Sequence, residues 1–269
     1  MNVRAIVTGA SGRMGSMIIR AVRDADDITL VGATEKPGSP HVGLDAGLAA
    51  RVPPLEVRVV TSLAEALEAR ADVVIDFTAA AASLEHARLC AERGIALVVG
   101  STGFSASARA EIAGLSRRMP VVMSPNMSVG VAVLMRLVSE AAKKLGPAYD
   151  IEILELHHRH KKDAPSGTAL RLAEVASDAR GGDPQRDVVY QRHGDVGERG
   201  DHELGVQSLR GGDVVGEHTV YFFGEGERLE LSHRASSRQN FAVGALRAAR
   251  WIVGKPPGLY DMQDVLGLR

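Results

Sequence analysis

The side chains best suited to acid–base chemistry lie in one short run of the sequence, residues 155–170. Six consecutive residues in it are basic or can become so: His157, His158, Arg159, His160, Lys161 and Lys162. Histidine titrates near neutral pH and can donate a proton, and a lysine crowded by other cations becomes a better proton donor. The run therefore predicts proton-transfer groups in a cationic setting.

The residues that follow this run are typical of a helix opening. Pro165-Ser166-Gly167-Thr168 precedes an apolar pattern that predicts a helix over Ala169–Ala179, and proline and serine are favoured where helices begin. The first N–H groups of a helix and its dipole attract negative charge. We therefore expect an anionic-substrate site here, for a carboxylate or a phosphate.

Two other interpretations of the basic run are a solvated charged loop and a metal site. His157 and His158 are adjacent, and no cysteine or obvious carboxylate completes a ligand shell with the histidines. Lys161 and Lys162 would also repel a cation, so we expect no metal. The solvated loop stays open as the alternative to an anion site.

A second motif, Gly9-Ala10-Ser11-Gly12-Arg13-Met14-Gly15, follows the apolar segment Val3–Val7 and opens the helical pattern Met14–Arg23. Between a strand and a helix, such glycines permit a tight turn, close approach of the backbone to a pyrophosphate, and close helix–strand packing. The motif predicts a dinucleotide site. Its spacing is G-x-x-G-x-x-G rather than the commoner G-x-G-x-x-G, so a plain glycine-rich turn is the alternative.

Two charged residues after the second predicted strand bear on the choice of cofactor. Glu35 can accept hydrogen bonds from a ribose hydroxyl, as in NAD recognition, whereas Lys36 can neutralise the extra phosphate of NADP. Because the two side chains favour different cofactors, we predict that both NADH and NADPH are used. A solvated charge pair on a loop is the alternative.

Three more loops follow predicted strands. They are Asp76-Phe77-Thr78-Ala79, Gly100-Ser101-Thr102-Gly103-Phe104 and Ser124-Pro125-Asn126-Met127. In open parallel sheets the ligand crevice lies outside the carboxyl ends of the strands. Small and hydroxyl residues there suit the close approach of a cofactor.

The pattern of predicted helices and strands that must position these loops changes after about residue 127. Before it, β-branched strand patterns alternate with helical ones, which predicts an α/β fold: a parallel sheet covered by helices on both faces. After it comes a long helical pattern, Val129–Leu145. Strand patterns then dominate, at Asp150–Leu156, Val188–His193, His202–Leu209, Val214–Phe223 and Arg228–His233. This part predicts a second, mixed α+β domain, followed by a helix over Phe241–Val253 and a Gly/Pro-rich end.

Composition narrows the class of protein. The 269 residues carry a formal net charge of −1, so nothing in the balance suggests a nucleic-acid partner. No signal peptide is recognisable and no apolar run approaches the ~18 residues of a membrane span. A lone cysteine, Cys90, fits a reducing compartment and is interpreted as a small buried hydrophobe. We expect a soluble, cytoplasmic protein.

The segment from Glu155 to Ala169 resembles the E-x-H-H-x-x-K-x-D-x-P-S-G-T-A signature of the 4-hydroxy-tetrahydrodipicolinate (dihydrodipicolinate) reductases. Agreement with that family extends over essentially the whole chain. It includes Gly9–Gly15, Asp76-Phe77-Thr78, Gly100–Phe104, Asn126, Ser128-Val129-Gly130, Gly216-Glu217-His218-Thr219 and the stretch from His233 to Arg238.

The resemblance implies a Rossmann-type cofactor domain, residues 1–127 plus 237–269. It implies an inserted α+β domain, residues 128–236, that binds a dicarboxylate substrate and builds a homotetramer. The implied reaction is hydride transfer from NADH or NADPH to 4-hydroxy-tetrahydrodipicolinate, with loss of water, in lysine and diaminopimelate biosynthesis.

The resemblance also implies roles for individual residues. His157 would be the proton donor/acceptor and Lys161 the proton donor. The substrate carboxylates would be held by His158, Ser166, Gly167 and Thr168. The cofactor would be held by Gly9, Ala10, Ser11, Gly12, Arg13, Met14, Glu35, Lys36, Gly100, Ser101, Thr102, Ser124, Pro125, Asn126 and Met127.

Departures from the family pattern are small. Lys36 stands where some members have arginine, and Ser101 and Ser124 stand where threonine and alanine are common, which leaves cofactor preference open. Two other functions would predict different sequence features. A related two-domain dehydrogenase should lack the His157–Thr168 signature, and a nucleotide-binding redox sensor should carry a DNA-binding or partner-binding module, of which the sequence shows no sign.

Overall fold

The computed structural model describes residues 2–269, which form two compact units. The first unit comprises the residues up to Val129 together with Arg238–Arg269, and the second comprises Gly130–Ser237. The N-terminal part of the first unit contains, in chain order, β1 (Val3–Thr8), α1 (Arg13–Arg23), β2 (Ile28–Thr34), α2 (Ala46–Ala49), β3 (Val59–Val60), α3 (Leu63–Ala66), β4 (Val73–Asp76), α4 (Ala80–Arg93), β5 (Ala96–Val99), α5 (Ala106–Leu115) and β6 (Pro120–Met123).

The second unit follows directly, and the chain then returns to the first. The second unit contains α6 (Val129–Leu145, whose first residue still belongs to the first unit), β7 (Asp150–His157), α7 (Gly167–Ala179), α8 (Pro184–Asp187), β8 (Val188–Val189), β9 (Leu204–Arg210), β10 (Gly216–Gly224) and β11 (Glu227–Ala235). The return consists of α9 (Gln239–Ile252), β12 (Gly258–Tyr260) and α10 (Met262–Val265).

The first unit is built on a parallel sheet whose strands run in the order β12-β6-β5-β4-β1-β2-β3. The order 3-2-1-4-5-6 is that of the doubly wound Rossmann fold, which confirms the predicted α/β class. All residues of β4 and β5 are buried. Continuous burial is expected when helices cover both faces of a sheet, and it explains the unbroken Val/Ile runs of these strands.

The C-terminal segment completes this sheet. Strand β12 pairs with β6 at one edge, and α9 buries a face rich in alanine against the first unit. At Gly244 an added Cβ would lie 1.8 Å from the carbonyl oxygen of Met127. The helix therefore approaches the backbone at the end of the β6 loop as closely as a glycine permits.

The second unit is a mixed sheet in the order β11-β10-β7-β9-β8. Strands β7, β9 and β8 are parallel, whereas β10 pairs antiparallel with both β7 and β11. Along β10 the residues alternate between buried and partly exposed. Its buried residues Val220 and Phe222 lie in one apolar cluster with Leu134 and Val138 of α6 and Leu172 of α7. This confirms the predicted second α+β part of the chain.

Some predicted elements differ from the structure. The strand predicted at Val188–His193 is only Val188–Val189, because the chain then leaves the sheet in an irregular segment. In that segment Arg192 makes side-chain hydrogen bonds to Glu152 and Glu203 instead of continuing a ladder. The Gly/Pro-rich end contains β12 and α10, which were not predicted, and neither were α2 and β3. These elements of two to four residues are too short to show a period.

Cys90 is buried in the core of the first unit, as predicted. Burial, together with the charge of Asp76, raises the pKa of its thiol to about 12, so it is not a reactive thiolate. None of the helices in residues 2–269 is long and apolar enough to cross a bilayer.

Two helical glycines give a matched test of the α9 packing. Gly244→Ala should lower the free energy of unfolding by about 1–3 kcal/mol, because its methyl group collides with the Met127 carbonyl. Gly114→Ala in α5 has nothing within 4 Å of the new methyl group and should raise stability by about 0.5–1 kcal/mol. Urea unfolding of both variants measures the difference; equal midpoints would contradict the close approach.

Candidate active site

The glycine loop between β1 and α1 is held by backbone contacts that need glycine. Gly9 has a positive φ of 65°, and the N–H of Gly12 donates to its carbonyl at 3.0 Å. A Cβ on Gly15 would lie 1.9 Å from the same carbonyl oxygen. No side chain within residues 2–269 caps the first turn of α1. The loop thus leaves the start of α1 without a side-chain acceptor, which suits a bound phosphate.

Glu35 is tied to this loop. One carboxylate oxygen, Oε1, accepts from the Ser11 N–H at 2.8 Å and from the Ser11 hydroxyl at 2.6 Å. The other, Oε2, accepts from the Lys36 N–H at 3.2 Å. Glu35 is buried and Lys36 is exposed. The carboxylate is therefore held in place, with Oε2 less heavily used than Oε1.

A cavity of about 680 Å³ lies beside the loop, entirely within the first unit. Four predicted cofactor residues line it: Gly9, Gly12, Glu35 and Lys36. Its other lining residues include Thr34, Thr61, Phe77 and Thr78, at or just after the carboxyl ends of β2, β3 and β4, and His86 and Leu89 on α4. The mixture of an apolar wall and a few polar groups is typical of a small-molecule site.

The other predicted cofactor residues do not line this cavity. Arg13 and Met14 begin α1, and Ala10 is fully buried beneath the loop. Residues 100–102 follow β5, where a Cβ on Gly100 would collide with the Phe77 ring at 2.1 Å. Residues 124–127 follow β6, where the Ser124 hydroxyl donates to the Asn126 carbonyl at 2.9 Å.

A buried carboxylate, Asp76, connects the loops after β4 and β5. Its Oδ1 accepts from the hydroxyls of Thr78 at 2.6 Å and Ser83 at 3.0 Å, and its Oδ2 lies 2.5 Å from Nδ1 of His86. The Ser83 and Ser101 hydroxyl oxygens are 2.7 Å apart and share a hydrogen bond. Burial alone would raise the pKa of Asp76, but the hydrogen bonds from His86 and Thr78 outweigh it and hold the pKa below its ordinary value.

In the second unit the basic run begins where β7 ends. His157, its last residue, places Nδ1 at 2.5 Å from Oε2 of Glu155, a fully buried carboxylate on the same strand. Arg210, at the end of β9, forms a bidentate pair with that carboxylate at 2.9 and 2.8 Å. Burial opposes ionisation of Glu155, but the hydrogen bonds from His157 and Arg210 are stronger and lower its pKa.

The helix opening is built as the sequence predicts. Ser166 is the N-cap of α7, and its hydroxyl accepts from the Ala169 N–H at 3.2 Å. The same hydroxyl is 3.0 Å from Nε2 of His218, and the Ser166 N–H donates to Glu155 at 3.0 Å. Ser166 is 2% exposed. Gly167 and Thr168, the first residues of α7, are the more accessible members of the opening.

The remaining residues of the run lie on a loop after β7. The Lys161 ammonium donates to both oxygens of Asp163, at 2.9 and 2.8 Å, and this pairing lowers the pKa of the Asp163 carboxyl. The His158 Nδ1 accepts from the His160 N–H at 3.2 Å. His157 packs edge-to-face on His218 with ring centroids 5.3 Å apart. The run is thus anchored by ion pairs and is not a fully solvated loop.

Burial, and next to it the charge of His157, lower the pKa of His218 to about 3. His218 is therefore neutral at pH 7 and adds no positive charge beside His157. Within the described residues no three histidine, cysteine, aspartate or glutamate side chains are grouped so as to hold a metal ion.

Four side chains of these clusters are not among the predicted site residues: Glu155, Arg210, His218 and His86. Glu155 and His218 lie in the motifs shared with the family, but the sequence assigned them no role. For Glu155 a signal exists, since residues two apart on a strand point to the same face and Glu155 precedes His157 by two. Arg210 and His218 reach the site only through strand pairing, which no local pattern reveals.

Two family models together match nearly all of this chain. The model described as dihydrodipicolinate reductase, N-terminus, matches residues 3–127. The model described as dihydrodipicolinate reductase, C-terminus, matches residues 130–266.

Named relatives agree with those models. The 4-hydroxy-tetrahydrodipicolinate reductase of Anaeromyxobacter sp. strain Fw109-5 is 62% identical over 267 residues, which is 99% of this chain and 98% of the relative. That of Myxococcus xanthus strain DK1622 is 58% identical over 268 residues, again 99% and 98%.

A solved structure, the dipicolinate-bound dihydrodipicolinate reductase of Paenisporosarcina sp. TG-14, superimposes with a TM-score of 0.78 at 25% identity. The match covers 98% of this chain and 99% of that one. Since both family models, the relatives and this fold agree over almost the full length, the chain belongs to the dihydrodipicolinate reductase family.

Proposed function

We propose that this protein catalyses the NAD(P)H-dependent reduction of 4-hydroxy-tetrahydrodipicolinate to tetrahydrodipicolinate, with loss of water, in diaminopimelate and lysine biosynthesis. The observation that carries this proposal is the 62% identity to a named 4-hydroxy-tetrahydrodipicolinate reductase over 267 residues. The clusters around His157 and Gly9 supply the two requirements of the reaction, a positioned acid and a dinucleotide site.

The first unit fits a nicotinamide dinucleotide. Gly9, Gly12 and the uncapped start of α1 would hold the pyrophosphate, with Ala10 to Met14 completing the turn. Glu35 and Lys36 line the adjoining cavity and would meet the adenosine ribose or its phosphate. Residues 100–102 and 124–127, at the carboxyl ends of β5 and β6, would lie against the rest of the dinucleotide. When bound, the dinucleotide supplies the hydride.

The second unit would hold the substrate, and a structural relative was solved with the dicarboxylate dipicolinate bound. Gly167 and Thr168 open α7, whose N-terminal end attracts a carboxylate. The Ser166 cap fixes that opening, and His158 would bind the substrate from the adjoining loop. Cationic groups and N–H donors together suit the two carboxylates.

His157 and Lys161 would handle the protons. His157 is partly exposed, with Nδ1 bound to Glu155, so its Nε2 is the nitrogen left to exchange a proton with substrate. Lys161, held by Asp163, would act as proton donor. The division of labour would therefore follow the two units: residues 1–127 and 237–269 bind the dinucleotide, and residues 128–236 bind the substrate.

The protein would act in the cytoplasm as a homotetramer built through the sheet of the second unit. In support, the face of that sheet opposite α6 and α7 carries apolar side chains. Leu209 is 50% exposed and Phe223 38% exposed, and Tyr221 stacks on Phe223 with centroids 5.6 Å apart. An exposed apolar sheet face favours association between subunits.

A coupled assay tests the reaction directly. The purified protein is mixed with NADH or NADPH and with substrate made in place by the preceding synthase from pyruvate and aspartate semialdehyde, and nicotinamide absorbance is followed. We expect oxidation of the cofactor that depends on the synthase. Cofactor that binds but is never oxidised would overturn the proposed reaction and favour a sensor or another imine substrate.

Replacement of the two proposed acid–base residues separates catalysis from binding. His157→Asn and Lys161→Met should each lower kcat about 100-fold or more, since a positioned acid or base typically contributes 10²–10⁴ in rate. Cofactor affinity, measured by fluorescence titration of NADH, should stay within about twofold, because both residues lie in the second unit. Unchanged turnover in both variants would remove them from the mechanism.

Replacing Glu35 and replacing Lys36 should have opposite effects on the preference for NADH over NADPH. Glu35→Gln should lower kcat/KM for NADH about 10-fold or more, the effect of weakening a charged hydrogen bond, while NADPH is less affected. Lys36→Met should do the reverse, and more so at low salt because the lysine is exposed. Lys144→Met, an exposed lysine on α6, is the control. Strong rejection of either cofactor by the unaltered protein would refute the expected dual use.

A further inference from the structure

The catalytic histidine of the proposed function is bonded to a carboxylate that the site residues inferred from the sequence leave out. Strands β7 and β9 are parallel neighbours, with Glu155 opposite Ser208 and His157 opposite Arg210. Residues two apart on a strand share a face. Glu155, His157 and Arg210 are therefore brought to the same side of the sheet by the register of two central strands rather than by a flexible loop.

Both oxygens of the Glu155 carboxylate are bonded twice or more. Oε1 accepts from the Ser166 N–H at 3.0 Å and from Nη2 of Arg210 at 2.8 Å. Oε2 accepts from Nη1 of Arg210 at 2.9 Å and lies 2.5 Å from Nδ1 of His157. Ser208 adds a further side-chain hydrogen bond. The carboxylate has no exposure to solvent, so its position is set by these partners.

This arrangement determines which nitrogen of His157 carries a proton. A carboxylate held ionised by a bidentate arginine can only accept hydrogen bonds, so the nitrogen it contacts, Nδ1, must be protonated. Nε2 is then the nitrogen that gains or loses a proton. It faces Gly216, where an added Cβ would stand 3.0 Å from it, and the absence of a side chain at that position keeps the approach to Nε2 open.

The other charged and titratable groups facing His157 do not replace Glu155 in this role. His218 on β10 contacts the His157 ring, and Arg210 on β9 shares the Glu155 carboxylate with it. Further out, His233 on β11 and Lys161 on the loop after β7 act on His218, and Asp163 binds Lys161. Arg210 and Lys161 are cations and His218 is neutral at pH 7, whereas Asp163 is bonded to Lys161. Glu155 is the anion in hydrogen-bond contact with the ring.

We propose that Glu155 is the positioning residue for His157, fixing the Nδ1-protonated form of its ring and stabilising its imidazolium, while Arg210 keeps the Glu155 carboxylate ionised and correctly oriented. This rests on the proposed function, in which His157 exchanges a proton with substrate through Nε2. Glu155 does not touch the substrate. Its effect reaches the reaction through the orientation and charge of the imidazole.

The first test is the pH dependence of turnover in Glu155→Gln. The amide preserves shape but supplies no charge, so the imidazolium loses its stabilising partner. We expect kcat to fall about 100-fold or more, the KM for substrate and the affinity for NADH to change less than about threefold, and the alkaline limb of the kcat profile to move to lower pH. An unchanged kcat and profile would overturn the proposal.

Asp187→Asn is the matched control. Asp187 is also a buried carboxylate of the second unit, bonded to an arginine, Arg186, and to a backbone N–H, that of Asp183. It has no hydrogen bond to a histidine among the contacts described for residues 2–269. Its replacement should lower stability as Glu155→Gln does but leave the pH profile in place. An equal shift of both profiles would show that the effect comes from general loosening of the unit.

A double replacement separates positioning from mere charge balance. Glu155→Gln leaves Arg210 as a poorly compensated cation, and removing both charges with Glu155→Gln/Arg210→Met should recover much of the lost thermal stability. If Glu155 positions His157, kcat should stay low in the double variant. Recovery of kcat together with stability would show that Glu155 serves only to neutralise Arg210.

A readout independent of turnover uses the unaltered protein. Long-range ¹H–¹⁵N NMR of histidine-labelled protein, with His157→Asn to assign the signal, reports which ring nitrogen is protonated. We expect Nδ1–H, and an Nε2–H neutral form would overturn the proposal even if Glu155→Gln fails to fold. Because this result does not depend on the substrate, an Nδ1–H ring in a protein inactive in the coupled assay would disprove the proposed function alone.

Discussion

The second unit is organised around one carboxylate that is withdrawn from water. Burying an ionised group is unfavourable unless hydrogen bonds and opposite charge replace its hydration. Glu155 meets this requirement with the Arg210 guanidinium, the Ser166 N–H and the His157 ring. These partners come from β9, from the start of α7 and from the end of β7. The same contacts that compensate the charge therefore hold the histidine, the helix opening and the strand register in one arrangement.

The first unit also contains a buried carboxylate whose charge is compensated by hydrogen bonds. Asp76 at the end of β4 is fully buried and is bonded by Thr78, Ser83 and His86. The Ser83 hydroxyl also shares a hydrogen bond with that of Ser101, after β5. A charged group thus joins two loops that would otherwise depend on backbone contacts alone. In both units the loops at strand ends are ordered by buried carboxylates, while the strands themselves are held by apolar packing.

Much of the fold and part of the site could be predicted from the sequence. The buried strands β4 and β5 are recognisable in the sequence as continuous β-branched runs. The turn at Gly9–Gly15 is recognisable because the close contacts at both of its ends require glycine. Glu35 was predicted as a ligand group, but its fixation by Ser11 depends on two loops meeting in space. Arg210 follows His157 by more than fifty residues and meets it only through the β7–β9 register. Contacts between residues so far apart in sequence produce no local sequence pattern. The shortest helices and strands contain too few residues to show a hydrophobic periodicity.

The discontinuous first unit has a consequence for synthesis on the ribosome. Its edge strand β12 and the helix α9, with Gly244 against Met127, come from the last part of the chain, after the whole of the second unit. The seven-stranded sheet cannot be completed until translation is nearly finished, and contacts of such wide sequence separation form slowly. During that interval the edge of β6 that β12 will cover stays unpaired. The second unit is continuous in sequence, so all of its strands are synthesised before the first unit can be completed.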